Sequence, residues 1–263
     1  MVTVDPSRRR VLARSSFEGA QLVGTAKAGR EIVLLLASGG LGRLGVVDER
    51  GAVRSVALEV PVGVQPREAT FARPGLAVDP VLRRAFVVPS AGPVAEVALD
   101  TLAVAYHELN APASRVIAAF RPAVRAKELP VTTRTAEWLG NGKLVVSGIG
   151  GSAGPEQPGG LALIDTGTWS IQTLEGGTDS FAVSEGRIVA TGPRAGLAVF
   201  DRDGRLLYRR FAGRRSRVEM IHRGRVYVHV GGERDMRALE LVSGNDVGRR
   251  ALPLPRLLLE ISG

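Results

Sequence analysis

The feature that most constrains this chain is an internal repeat, and repeats decide architecture before any single residue does. Five segments carry a basic residue, a short β-branched run, a Gly-rich or Pro-containing break and a second apolar run. They are EIVLLLASGG after Arg30, AFVVPSAGP after Arg84, LVVSGIGG after Lys143, IVATGPRAG after Arg187 and VYVHVGGER after Arg225. Each is followed 14 to 22 residues on by an apolar-acidic step, ending at Asp48, Asp100, Asp165, Asp201 and Glu240. A further step, VTVD at Asp5, stands at the start without its upstream half. From Asp5 to Asp201 the mean interval is 49 residues, and setting aside the long stretch near 111–130 brings the unit toward the roughly 40–45 residues of a four-stranded propeller blade.

One unit reads as a β-meander. Its apolar runs are four to six residues long, rich in Val, Ile and Leu, and often alternate with polar residues. After the acidic step, Asp48-Glu-Arg-Gly51 and Asp201-Arg-Asp-Gly204 have the Asp that opens a turn and the Gly that closes it. A fourth alternating strand then leaves each unit. A lone four-stranded sheet cannot bury both faces, whereas units stacked around an axis bury them and shorten their edges. The fold class expected is therefore all-β, a β-propeller of four-stranded antiparallel blades, with a β-sandwich of similar hairpins as the competing architecture.

Near-complete blades are expected at 19–60, 66–110, 131–175, 177–213 and 214–250, in a single domain spanning 1–263. Residues 2–19 align with 197–213, which places a half blade of two outer strands at 3–18, and Leu257–Ile261 supplies one more strand. That composite blade is one strand short. The expectation is a C-terminal part of a larger ring, taken as seven-bladed, with open blade edges available for self-association. The segment 111–130 interrupts the repeat: Ser114–Phe120 has helical spacing, Pro122 breaks it, and a packed surface loop is preferred to a helix. Residues 150–160 read as a flexible Gly/Pro loop.

The repeat, above all PGLAVDPVLRRAFVVPSAGPVAEVALDTLAVAYHEL at 74–109, resembles the blades of bacterial YVTN-type or quinoprotein-like propellers. Those pair a "LAVDP…R-AFVV" strand couple with an "EVDL-T" step, here Glu96-Val-Ala-Leu-Asp100-Thr-Leu with the acid displaced. The resemblance implies a fold and no particular reaction.

Several residues imitate chemical motifs. Gly150-Gly-Ser152-Ala-Gly154 fits GxSxG, yet Pro155 and Pro158 forbid the helix that presents a nucleophile, and Asp165 and Asp201 already serve repeat turns. The overlapping Gly148-x-Gly150-x-x-Ala153 lacks the helix N-terminus that holds a pyrophosphate. His107-Glu108 has Ala111 where a zinc-protease motif needs His. His222 and His229 flank a hairpin turn at Arg223-Gly224 and can approach each other across it, with no third ligand indicated. Trp138 and Trp169, the only tryptophans, read as strand residues of the third blade packed in its core, too few to line a quinone funnel. Glu137 and Glu219 fall where lactonase-like propellers place inner-strand ligands, and read here as solvated channel-lining groups. No catalytic, cofactor-binding or metal-binding residue is therefore expected, and no cofactor.

The chain has 35 Lys+Arg against 26 Asp+Glu, a net charge of +9, and no Cys. All but three of the basic residues are Arg, and Asn is scarce. GC-rich codons favour this residue set, which weakens the charge as a sign of nucleic acid. Arg8–Arg10, Arg209-Arg210, Arg214-Arg215-Arg217 and Arg249-Arg250 cluster at outer strands and blade connections, without the interleaved aromatics that read single-stranded nucleic acid. Lack of Cys removes disulfides and thiolate chemistry. The first ten residues have charge with no apolar stretch behind it, unlike a signal peptide, and no apolar run reaches membrane-spanning length. The expected function is a non-enzymatic propeller scaffold binding a protein or small ligand at one face. The alternative is a lactonase-like hydrolase or quinoprotein-type oxidoreductase whose site lies partly in missing blades.

Overall fold

The computed structural model describes residues 2–5, 10–14, 19–65, 70–109, 131–151, 157–193 and 195–250. The expected features at 111–130 and 257–261, and Ser152, lie outside these residues. Two compact units divide the chain after Asp179.

In the first unit, β1 (Val2–Asp5) pairs antiparallel with β2 (Arg10–Arg14). A four-stranded meander follows, of β3 (Gln21–Ala28), β4 (Glu31–Ser38), β5 (Leu41–Val47) and β6 (Val53–Pro61). The next meander contains β9 (Gly75–Asp79), β10 (Arg84–Val88), β11 (Val94–Ala98) and β12 (Val104–His107). Between them, β7 (Gly63–Gln65) and β8 (Thr70–Arg73) form a hairpin. It joins the third sheet of β13 (Val131–Gly140), β14 (Lys143–Gly151), β15 (Gln157–Asp165) and β16 (Ser170–Glu175). The second unit has β17 (Ser180–Ser184), β18 (Arg187–Gly192), β19 (Gly196–Phe200) and β20 (Leu206–Arg210) in one meander. Its other meander is β21 (Ser216–His222), β22 (Arg225–Val230), β23 (Met236–Glu240) and β24 (Asp246–Arg250).

Burial along the strands explains why these sheets stack. In β4, β10, β18 and β19 consecutive residues are buried on both faces, Val33–Ala37, Ala85–Val88, Ile188–Gly192 and Gly196–Phe200. A sandwich strand buries alternate residues on one face only, whereas a central blade strand is covered from both sides. Fourth strands are mostly exposed, as in β20, where only Tyr208 is half-buried. Odd-numbered residues of β10, Ala85 and Val87, join the core with Val33, Leu35 and Leu44 of the first meander. Even-numbered Phe86 and Val88 join Leu144, Val146 and Ile164 of the third sheet. Within the second unit, Val189, Leu197 and Val199 pack with Val226, Val228 and Val230. The second meander is thus the filling between its two neighbours. The described residues contain only strands, turns and irregular segments, and the fold is an all-β propeller built from four-stranded antiparallel blades.

One sheet departs from four strands. The segment at 131–175 carries six, in the order β16-β15-β14-β13-β8-β7, because β8 pairs parallel with the start of β13, Val131 opposite Phe71 and Thr133 opposite Arg73. The second meander correspondingly begins at Gly75 rather than near residue 66. The hairpin's base rests on the first meander, where Gln65 Nε2 donates to Gly40 O at 2.7 Å. It therefore ties the first and third sheets of this unit together.

Candidate functional site

Three acidic steps of the repeat are consumed by turns, while Asp100 pairs with Arg83. Asp48 Oδ1 accepts the N–H groups of Arg50 and Ala52, both at 2.8 Å. Asp201 Oδ1 accepts those of Asp203 and Arg205, both at 2.9 Å. Asp165 Oδ1 accepts from Gly167 and Thr168, and the Thr168 N–H above all holds its carboxyl below the usual range. An oxygen that closes a turn is not available as a general base.

A polar row lies between the second and third sheets. Arg84 Nη1 donates to Glu96 Oε1 at 2.8 Å and Nη2 to Asp79 Oδ2 at 3.3 Å. His107 Nε2, buried, sits 3.0 Å from Glu96 Oε2. The His107 ring stacks on Trp169 with centroids 3.9 Å apart, and Phe86 stacks on Trp138 at 5.5 Å. Trp169 is a turn residue at φ 56° rather than the strand residue expected. The equivalent turn in β23–β24 closes in the same way on Gly244, since Trp169 N bonds Asp165 O and Gly244 N bonds Glu240 O. Holding Trp in this left-handed conformation costs about 1 kcal/mol, offset here by stacking over the seam. With His107 covered by an indole and turned toward Glu96, the row fastens two sheets. The sequence carries no signal for this row, since Glu96 stands there only as the first residue of the Glu96-Val-Ala-Leu-Asp100 step.

The other singled-out residues do not assemble. His222 stands opposite Arg225 and His229 opposite Arg217, so they occupy opposite ends of the β21–β22 hairpin and do not meet across it. Glu137 is exposed on β13, and Glu219 lies on β21 in a pair with Arg217 at 2.6 Å. No group of three or more metal-ligating side chains occurs among the described residues. Arg134, buried on β13, has its pKa pushed down to about 10 by burial and remains a cation at neutral pH. Its Nη2 donates to Ser90 O at 3.4 Å.

Charge is distributed unevenly along the sequence. Residues 180–263 hold 16 Arg against nine acidic residues, while 1–179 hold 19 basic against 17 acidic. Around the β21–β24 sheet most arginines gather along one edge, where β21 starts, β22 turns into β23 and β24 ends, with Arg223 and Arg225 at the other. Glu233 organises that edge. Arg237 grips it with Nε at 2.7 Å and Nη2 at 3.0 Å, and Arg214 Nη1 reaches it at 3.0 Å. These hydrogen bonds, Arg237's first, hold the Glu233 carboxyl down at about 2. Arg237 Nη1 also bonds Asp246 Oδ2 at 2.7 Å, and its guanidinium lies 5.9 Å over the Phe211 ring. Arg214 Nη2 donates to Gly231 O and Gly231 N to Arg215 O, both at 2.7 Å, which locks loop 211–215 to turn 231–235. This structured, arginine-rich edge is the candidate functional site. The Arg clusters at 214–217 and 249–250 lie along it, whereas the Glu233 clamp had no sequence signal beyond an acid among arginines.

Double-sided burial in consecutive meanders defines the protein's class as a β-propeller, and comparison with solved structures agrees. BamB from Moraxella catarrhalis aligns over 92% of this chain and 68% of its own with a TM-score of 0.52 at 15% identity. A chain of the mitotic checkpoint complex aligns over 97% and 72% with a TM-score of 0.56 at 11% identity. Dihydro-heme d1 dehydrogenase NirN aligns over 94% of this chain with a TM-score of 0.52 at 11% identity, and this chain spans 48% of its length. At such identities the likeness is one of fold. No protein-family model and no curated protein matches the sequence.

Proposed function

We propose that this chain is a non-enzymatic β-propeller scaffold that binds an acidic protein through the surface of residues 180–250, within the YVTN-type or quinoprotein-like group its repeat resembles. The supporting observation is the segregation of charge: net +7 on residues 180–263 and +2 on 1–179. Charge so placed steers a negative partner to one region and discriminates against a positive one. Asp48, Asp165 and Asp201 are meanwhile committed to turns, and Glu96 and His107 to the row with Arg84. Titration of the chain with poly-L-glutamate and with poly-L-lysine tests the reading. Binding of the first, with affinity falling steeply as salt rises, and none of the second is expected. Failure to bind polyglutamate at low salt overturns it.

A further inference from the structure

We propose that Arg215, Arg234 and Arg249 grip an extended Asp/Glu-rich segment of the partner laid along one edge of the β21–β24 sheet; this rests on the scaffold reading above. The edge contains two kinds of arginine. Arg214 and Arg237 are neutralised by Glu233 and Asp246 and form a frame. Arg215, Arg234 and Arg249 are exposed, and none of them closes an ion pair with an acid among the described residues; Arg249 only adds its charge to the field at Asp246, whose pair is with Arg237. The frame fixes where these three stand. Arg215 precedes β21, and its carbonyl accepts Gly231 N. Arg234 lies in the β22–β23 turn, closed by Glu233 N on Val230 O at 3.0 Å. Arg249, next to last in β24, stands opposite the clamped Arg237.

Strand order places them in a line. The start of the first strand, the turn between the second and third, and the end of the fourth fall on one edge of an antiparallel meander. Three inter-strand spacings separate its ends, about 14 Å at ~4.8 Å each. That span is too wide for one phosphate and matches about five residues of extended chain at roughly 3.3 Å per residue. A run of carboxylates meets three separate guanidinium groups without any of them moving to a common point. Nucleic acid fits less well, because single strands are held by stacking on exposed aromatics, and Phe211 on this edge lies under Arg237.

The test uses the full chain, with binding followed by fluorescence anisotropy of a labelled oligoglutamate peptide, against oligothymidylate and inorganic phosphate as competitors. The R215E/R234E/R249E variant is compared with R202E/R205E/R225E, which removes equal charge from exposed arginines of the same unit at the opposite strand ends. Circular dichroism melting verifies that each is folded, and the triple Ala variant at 215, 234 and 249 repeats the measurement with less perturbation. The expected result is a loss of about tenfold or more for the first variant and of at most about threefold for the second. Equal losses, no loss, or tighter binding of oligothymidylate that vanishes with the same arginines overturn the inference, as does displacement of the peptide by stoichiometric phosphate. Oligoglutamate binding that survives in R215E/R234E/R249E removes this site and leaves the scaffold reading standing. No binding by the unaltered chain removes both.

Discussion

In the turn after β19 the Asp201 carboxylate bonds two backbone N–H groups at 2.9 Å each. Asp201→Ala leaves both donors to water and is expected to lower stability by about 1 kcal/mol, with Asp201→Asn closer to the native chain, measured by urea unfolding. Turn conformation offers an opposite change. Glu185 and Arg223 open two-residue hairpins at φ 50° and 48°, the position that Asn141 fills at φ 51° before Gly142. Asn tolerates this left-handed geometry better than other non-Gly residues. Glu185→Asn with Arg223→Asn is expected to raise the melting temperature by a few degrees, for a gain of up to about 1 kcal/mol, and calorimetry reads it. At Glu233 the folded carboxyl is held at about 2, below the roughly 4.3 of an unfolded chain. The sign follows from linkage: stabilisation is complete above the unfolded value and is lost as pH falls toward 2. The stability difference between the native chain and Glu233→Gln should therefore be steady above about pH 5 and close progressively below it.

Elements show what the sequence could and could not disclose. The meanders were legible because alternation, β-branched runs and D-x-x-G turns all point the same way. Hairpin β7–β8 was not, since strands of three and four residues carry no period and a parallel partner more than 50 residues away leaves no local trace. Trp169 reads as a strand residue because Asp165-Thr-Gly-Thr-Trp169 lacks the closing Gly of the turns at Gly51, Gly204 and Gly244, just as the turn closing on Leu102 does. The histidines at 222 and 229 flank the same hairpin turn, but its two-residue loop at Arg223-Gly224 pairs His222 with Arg225 and leaves His229 at the far end of the ladder, opposite Arg217. Close approach between the second and third sheets was equally silent: a Cβ on Gly75 would stand 2.8 Å from Ala136 Cβ and from its backbone N. Gly75→Ala should force the two first strands apart and cost about 1–3 kcal/mol, seen as a lowered urea midpoint. Outer strands β16, β20 and β24 each carry a register shift, and bulges of this kind discourage edge-to-edge pairing.

For the molecule as a whole, the repeat supplies the frame and the charge distribution distinguishes one part of it. Sequence clusters located the arginines, but which are neutralised and which face outward depends on pairs such as Arg237–Asp246 that only folding creates. The most direct measurement of the central claim is amide hydrogen exchange of the full chain with and without saturating poly-L-glutamate at low salt. Slowed exchange confined to 211–217, 231–237 and 246–250 is the predicted result, with the strands of residues 21–175 unchanged. Protection spread over β3–β16, or none in those three segments despite bound polymer, would contradict the account.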